Sequence, residues 1–191
     1  MAGIMQAVGP CRLRSEAAHS PFASLARAIA YQQLNGTAAG RIFGRFVALY
    51  APAPFPPPEA VLRTADEVLR GVGFSYAKVR ALRDLAEKTA AGLLEFDRMP
   101  EMSEQEVIAH LTQVKGIGVW TAHMFLMFTL RRPDILPVGD YGIQAAIKKH
   151  YKKRKWPKPA VMEKIAKPWA PHRSIACWYL WRSLDIKTPE K

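Results

Sequence analysis

The chain has 191 residues, of which 49% are hydrophobic and 23% charged, and its 28 Lys/Arg against 16 Asp/Glu give a formal net charge of +12. That apolar fraction excludes a disordered chain, the length suits one globular domain or two small lobes sharing a core, and no uncharged run approaches the ~20 residues of a membrane span. Two cysteines, Cys11 and Cys177, form no Cys-x-x-Cys pair, which excludes a thiolate-ligated zinc or iron–sulfur site and a disulfide framework. Residues 1–14 lack the basic and apolar regions of a signal peptide. The expected location is therefore intracellular, in the cytoplasm.

The elements read as helices throughout. Ser20-Pro21 supplies an N-cap and a first-turn proline, with Phe22, Leu25, Ile29 and Gln33 following on one face. A second helix runs from about Ala39 to Tyr50. The prolines between Pro52 and Pro58 predict a stiff, extended connector. Thr64 and Glu67 have capping-box spacing for a short helix ending near Gly71 and Gly73, and Lys78–Leu94 reads as a longer helix with Val79, Leu82, Leu85 and Ala86 inward. Ser103 and Glu106 make a second capping box, before a helix whose apolar side is Val107, Ile108 and Leu111. After the turn Lys115-Gly116-Ile117-Gly118 comes a helix from Val119 to about Leu130. It is apolar nearly all round, as a central buried helix would be. Residues 131–139 hold Pro133, Pro137 and Gly139 and must be a loop. Asp140 stands before a helix carrying Ile143, Ala146 and Ile147, and short helices follow near residues 160–166 and 172–184. No strand alternation and no repeat is present. The predicted fold class is all-α.

The charge is uneven: residues 141–191 hold 13 Lys/Arg and 3 Asp/Glu, whereas residues 1–140 hold 15 and 13. A concentrated positive field of this kind attracts a polyanion, most simply nucleic acid. Leu111–Ala122 then gives the first chemical motif: helix, apolar residue, Gly-x-Gly, helix. Two glycines let the backbone approach a phosphate, and the amides opening the following helix point at that anion, aided by the helix dipole. A bare helical hairpin with a glycine cap is the bland alternative. Downstream, Leu136-Pro-Val-Gly-Asp140 places an aspartate directly before a helix, which taken alone is an N-cap.

The combination resembles the helix-hairpin-helix (HhH-GPD) DNA glycosylase superfamily, and within it the DNA-3-methyladenine glycosylase II group. The resemblance rests on Gln32-Gln33-Leu34, Val114–Ala122, Pro137–Asp140 and Arg173–Arg182, and it spans about residues 20–185. It implies a two-lobed fold, with one lobe of about residues 30–115 and the other built from the chain ends and residues 116–191. Asp140 becomes the catalytic carboxylate, and Leu34 the wedge that fills the gap left by an extruded nucleotide, with Gln33 and Asn35 beside it. Lys115, Gly116, Gly118 and Thr121 become DNA-backbone contacts, joined by Lys148 and Lys149 of the basic segment. Trp120 stands where lyase-type relatives carry a Schiff-base lysine, so the resemblance implies a monofunctional enzyme. Trp120, Met124, Tyr31 and His172 are the implied base pocket, suited to cationic alkylated purines through stacking and cation–π attraction. Met124 and His172 depart from aromatic residues of the bacterial enzyme, and the resemblance is to the compact form of the family, without the amino-terminal β-rich domain of the longest members. No organic cofactor is expected; the hairpin carbonyls of Thr112, Val114 and Ile117 are the implied seat of a Na+ or K+ ion. His19, His110, His123 and His150 lack ligand spacing. The expected partner is double-stranded DNA with damaged bases, engaged by a monomer and with no membrane involved. Two rival readings stay open: a bifunctional glycosylase/lyase for another lesion, and a hairpin module that binds DNA without cutting.

Overall fold

A computed structural model describes residues 1–13 and 20–186; His19 lies outside them. The described residues form eleven α-helices, a 3-10 turn at Lys167–Trp169 and no strand. They divide into two compact units, Glu16–Phe125 and Met1–Ser15 with Leu126–Lys191. No described helix is long and apolar enough to cross a membrane.

The unit Glu16–Phe125 begins with α2 (Pro21–Tyr31), whose first turn is set as expected: Ser20 Oγ accepts from the Ala23 amide at 3.2 Å. The helix stops at Tyr31, because Gln32 takes a ψ of 133° and leaves helical geometry, and Gln33 follows at a φ of +56°. Gln33 thus lies on the following turn and not on the buried face of Phe22, Leu25 and Ile29. Helix α3 (Gly36–Ala48) opens earlier than the sequence suggests, since Asn35 Oδ1 accepts from the Ala38 amide at 2.9 Å.

The proline segment is not an extended spacer. It turns, and Phe55 is drawn inward against Phe22, Phe43 and Phe46 at centroid distances of 5.9–6.0 Å. Pro58 then opens a short helix, α4 (Pro58–Arg63), and Phe74 packs on Phe46 at 5.4 Å. Burial stabilises each of the fully enclosed rings Phe46 and Phe74 by about 2–3 kcal/mol.

The Thr64–Glu67 capping box does not form. Thr64 Oγ1 instead donates to the Ala60 carbonyl and pairs with the Tyr50 hydroxyl, and α5 (Asp66–Gly71) starts at Ala65 without a side-chain cap. The Ser103–Glu106 box does form, with both reciprocal bonds, and it opens α7 (Glu104–Thr112). Between them α6 (Tyr76–Ala90) buries Val79, Leu82, Leu85 and Ala86 and packs on α2 and α4.

Helix α8 (Val119–Phe128) is less enclosed than its composition suggests. Val119 and Trp120 are exposed at its start, and burial begins at Thr121. In the other unit, α9 (Tyr141–His150) packs against α11 (Arg173–Asp185), preceded by α10 (Pro159–Ala166). Helix α1 (Ala2–Val8), which the sequence did not announce, lies on α11 and buries Ile4. The Tyr179 hydroxyl donates to the Gly9 carbonyl at 3.1 Å beside it.

Candidate active site

Asp140 is the N-cap of α9, as its position before the helix predicts. Its Oδ1 accepts from the Ile143 amide at 2.7 Å. The same oxygen accepts a second bond, from the indole N–H of Trp181 on α11, at 2.8 Å. Only 7% of the residue is exposed, so this is a carboxyl held in place and largely withdrawn from water. Trp181 stacks on Phe128 with centroids 6.2 Å apart and planes 28° from parallel, which fixes the indole that aims at Asp140. Gly142 makes room for that indole: a Cβ there would stand 2.9 Å from Trp181 Cδ1 and 3.1 Å from Asp140 Oδ1.

The loop leading to Asp140 is fastened to the first turn of α11. Asp134 receives the guanidinium of Arg173 on both oxygens, at 2.7 and 2.9 Å, and the Arg173 amide at 3.1 Å. Those bonds hold the Asp134 carboxyl below the usual carboxylate range. Ser174 accepts the Ile135 amide and donates to the Arg132 carbonyl. Cys177 is buried here, and burial, helped by the negative charge of Asp140, pushes its thiol up to about 12. It is a packed thiol at neutral pH and no nucleophile.

Tyr141, directly after Asp140, is 71% exposed. Its ring lies 4.9 Å from that of Trp156, and the Lys148 ammonium sits 4.8 Å over the Trp156 indole. Lys148, expected at DNA phosphates, thus has an aromatic face beneath it, while Lys149 is exposed. His172 is exposed at the start of α11, where its side chain makes no capping bond.

In the unit Glu16–Phe125 the hairpin turn joins α7 to α8. Gly116 needs its φ of +79°, and a Cβ there would press on Ala81 at 3.0 Å. The first internal bond of α8 runs from the Ala122 amide to the Gly118 carbonyl, so amides of the first turn, Val119 and Thr121 among them, precede the helix's own ladder. Thr121, expected at the DNA backbone, is buried. Lys115 is exposed, and its backbone amide donates to Asp84 at 2.8 Å. Asp84, buried on α6, also receives the Lys88 ammonium at 2.8 Å on both oxygens. Burial raises the Asp84 carboxyl, but the bonds from Lys88 and the Lys115 amide and the two ammonium charges outweigh it, and it titrates below the usual range.

Gln33, Leu34 and Asn35 are all exposed on the turn after α2, although Asn35 spends its carbonyl oxygen on capping α3. Leu34 is 40% exposed. Trp120 is 47% exposed, Met124 half-buried, and Tyr31 half-buried under the guanidinium of Arg27, 4.2 Å from its ring centre. Sequence reading missed Trp181 as the partner of Asp140. It also missed Tyr141, for which adjacency to the aspartate was an available signal. No group of three or more His, Cys, Asp or Glu among the described residues could hold a metal ion.

The family model for the HhH-GPD superfamily of base excision DNA repair proteins matches residues 26–171. The chain belongs to this superfamily. DNA-3-methyladenine glycosylase 1 of Schizosaccharomyces pombe is 38% identical over 174 residues, which is 91% of this chain and 76% of that protein. The solved structure of the S. pombe 3-methyladenine DNA glycosylase in complex with abasic DNA superposes with a TM-score of 0.85 at 35% identity, covering all of this chain and 93% of that one. A DNA-3-methyladenine glycosidase from Bacillus halodurans gives 0.84 at 36% identity, over 95% and 82% of the two chains. The all-helical HhH-GPD fold expected from sequence is therefore the one present. Glycines 116 and 118 and Asp140, the residues that suggested the family, fall inside the matched range.

Proposed function

We infer that the protein is a DNA glycosylase of base excision repair that hydrolyses the N-glycosidic bond of alkylated purines, of the 3-methyladenine and 7-methylguanine type, in double-stranded DNA. Its membership of the HhH-GPD superfamily and the names of its relatives support the reaction class. The observation that carries the mechanism is Asp140: buried, capping α9, and oriented by the Trp181 indole.

Alkylation at N3 or N7 makes the purine cationic. When the C1′–N bond breaks, its electron pair returns to the base, which leaves neutral, and the positive charge passes to the sugar. An ionised carboxylate stabilises that oxocarbenium-like state, and two donors on one oxygen keep it aimed without reorganisation. Water then attacks C1′ and gives up a proton, for which Asp140 is the proposed acceptor. The bond is out of reach in a stacked duplex, so the nucleotide must first be extruded.

Leu34, with Gln33 and Asn35, is the proposed wedge; its exposure on a turn suits insertion into a base stack. Lys115 and the amides of Gly116, Gly118 and Thr121 are the proposed phosphate grip, with Lys148 and Lys149 adding charge. Trp120, Met124, Tyr31 and His172 are the proposed base-binding side chains, and the exposed ring of Tyr141 joins them. For a Na+ or K+ ion the residues fit in chemistry: Thr112 ends α7, where the dipole favours a cation, and the Val114 carbonyl uses one lone pair on the Ile117 amide and keeps the other. Such an ion would offset phosphate charge at the hairpin. Trp120 offers no amine for a Schiff base, which favours base release by water.

Release of free base from methylated genomic DNA, resolved by chromatography, tests the substrate class. The protein is expected to liberate 3-methyladenine and 7-methylguanine without nicking the strand. A borohydride-trapped protein–DNA adduct would instead establish the lyase reading.

A further inference from the structure

Two turns lying 84 residues apart in the chain are joined by one hydrogen bond. The side-chain amide of Gln32 donates through Nε2 to the Gly116 carbonyl at 2.8 Å. Gln32 is the last residue governed by α2, and its ψ of 133° turns the chain outward. The left-handed Gln33 follows, and the Leu34 amide folds back onto the Tyr31 carbonyl, which leaves the Leu34 side chain exposed. At the other end of the bond, Gly116 holds a φ of +79° close to Ala81 of α6, where a Cβ added to the glycine would stand 3.0 Å from the alanine methyl.

Helix α6 serves both turns. The Lys78 ammonium donates to the Ala30 carbonyl at 2.7 Å, at the C-terminal end of α2 where a cation is favoured, and Asp84 receives the Lys115 amide. Those two bonds secure the end of α2 and the start of the hairpin to one helix. Neither reaches past Tyr31. The bond from Gln32 ties the outgoing wedge turn directly to the glycine that the phosphate grip depends on.

We propose that Gln32 is a positioning residue that couples the wedge to the hairpin, so that Leu34 enters the base stack at a fixed place relative to the strand held by residues 116–118. This rests on the reading of Leu34 as the wedge. The bond is solvent-accessible, so removing it shifts an equilibrium by roughly fivefold to tenfold. That is too little to decide folding, which the aromatic core and α6 secure. It is enough to decide where an exposed turn points. The role requires a donor of this reach: leucine fills similar space without donating, and glutamate sets an acceptor against the Gly116 carbonyl.

The test uses the whole chain and a duplex with a tetrahydrofuran abasic analogue opposite 2-aminopurine, whose fluorescence rises when the probe is unstacked. It is read at saturating protein for wild type, Gln32→Leu, Gln32→Glu, Leu34→Ala and the double variant Gln32→Leu/Leu34→Ala. Single-turnover release of 7-methylguanine from duplex is measured on the same proteins. The proposal expects both Gln32 variants to lose most of the fluorescence rise and to slow release about tenfold. Their affinity for undamaged duplex should stay within twofold of wild type, and Gln32→Leu should add nothing to Leu34→Ala. Additive losses, or affinity for undamaged duplex falling in parallel with release, would assign Gln32 a merely structural role and overturn the proposal. A full fluorescence rise in Gln32→Leu with a reduced one in Leu34→Ala would overturn it while leaving the wedge in place. Unchanged fluorescence and release in Leu34→Ala would remove the wedge reading and the coupling with it.

Discussion

The neighbourhood of Asp140 and the hairpin with its adjoining turn use the same chemical devices at opposite exposures. Around Asp140 a carboxylate, an indole and an arginine-braced loop are packed until little freedom remains. Around Gly116 and Leu34, backbone and side chains stand in water and are tethered from behind by single polar bonds to α6. The contrast fits the roles proposed for the two regions. A charge that must meet a developing cation gains from low dielectric and fixed geometry, whereas surfaces that meet a polyanion must stay accessible and cost little to desolvate. Substitutions near Asp140 should therefore change the bond-breaking step itself, and substitutions near the hairpin should change how the duplex is held or unstacked before that step.

The largest effect short of removing the carboxylate is expected from Trp181→Phe. It deletes the donor to Asp140 Oδ1 and keeps a ring to stack on Phe128. Loss of orientation should slow single-turnover base release by roughly 10- to 100-fold while DNA affinity is kept. Gly142→Ala should reproduce a weaker version, since its methyl would displace the same indole. If Trp181→Phe weakens binding and leaves the rate intact, the division of labour is wrong.

Asp84→Ala tests the other side. Without that carboxylate the Lys115 amide and the Lys88 ammonium lose a buried partner, which should destabilise the fold by about 2 kcal/mol and weaken binding to undamaged duplex. Thermal denaturation and a binding isotherm check it.

Acid sharpens the comparison, because each region has one braced carboxylate, Asp134 and Asp84, titrating below the usual range. A carboxyl lowered by folding contributes stability that is present above its unfolded value, about 3.9, and is lost as pH falls through the folded one. Asp134→Asn and Asp84→Asn should each flatten the fall in stability below about pH 4, seen in denaturant midpoints across pH. The smallest effect is expected from Gln at Lys149, Lys152, Lys153 and Lys155, which should lower the slope of log K against log salt by about 0.9 for each phosphate no longer neutralised, with the rate at saturation unchanged.

Local signals in the sequence were read well where a local contact satisfied them. Ser20, Ser103 and Asp140 cap as their spacing predicts. Thr64 shows the limit, since its hydroxyl met two competing partners, Ala60 and Tyr50, and the same spacing produced no box. The proline segment misled for a related reason: it turns where Phe55 packs on Phe22 and Phe43, rings supplied by other helices. Helix α1 has no side-chain cap at its start and one buried side chain, so only Gly9-Pro10 at its end marks it in the sequence, and its docking on α11 does the rest. Asp140 and the two glycines were legible because a motif concentrates them. The partners that aim and brace them were not: Trp181 reaches Asp140 across 41 residues and Gln32 reaches Gly116 across 84, through packing that no local pattern encodes.

The most direct measurement is made on Asp140→Asn. Asparagine caps a helix as well as aspartate does, and its side-chain oxygen can still accept from Ile143 and Trp181, so the variant alters charge and little else. Base release from 7-methylguanine duplex under single turnover and affinity for abasic-analogue duplex are recorded side by side. We expect release to fall about a thousandfold or more with affinity kept within a few fold. Release at the wild-type rate would reduce Asp140 to a helix cap and contradict the account.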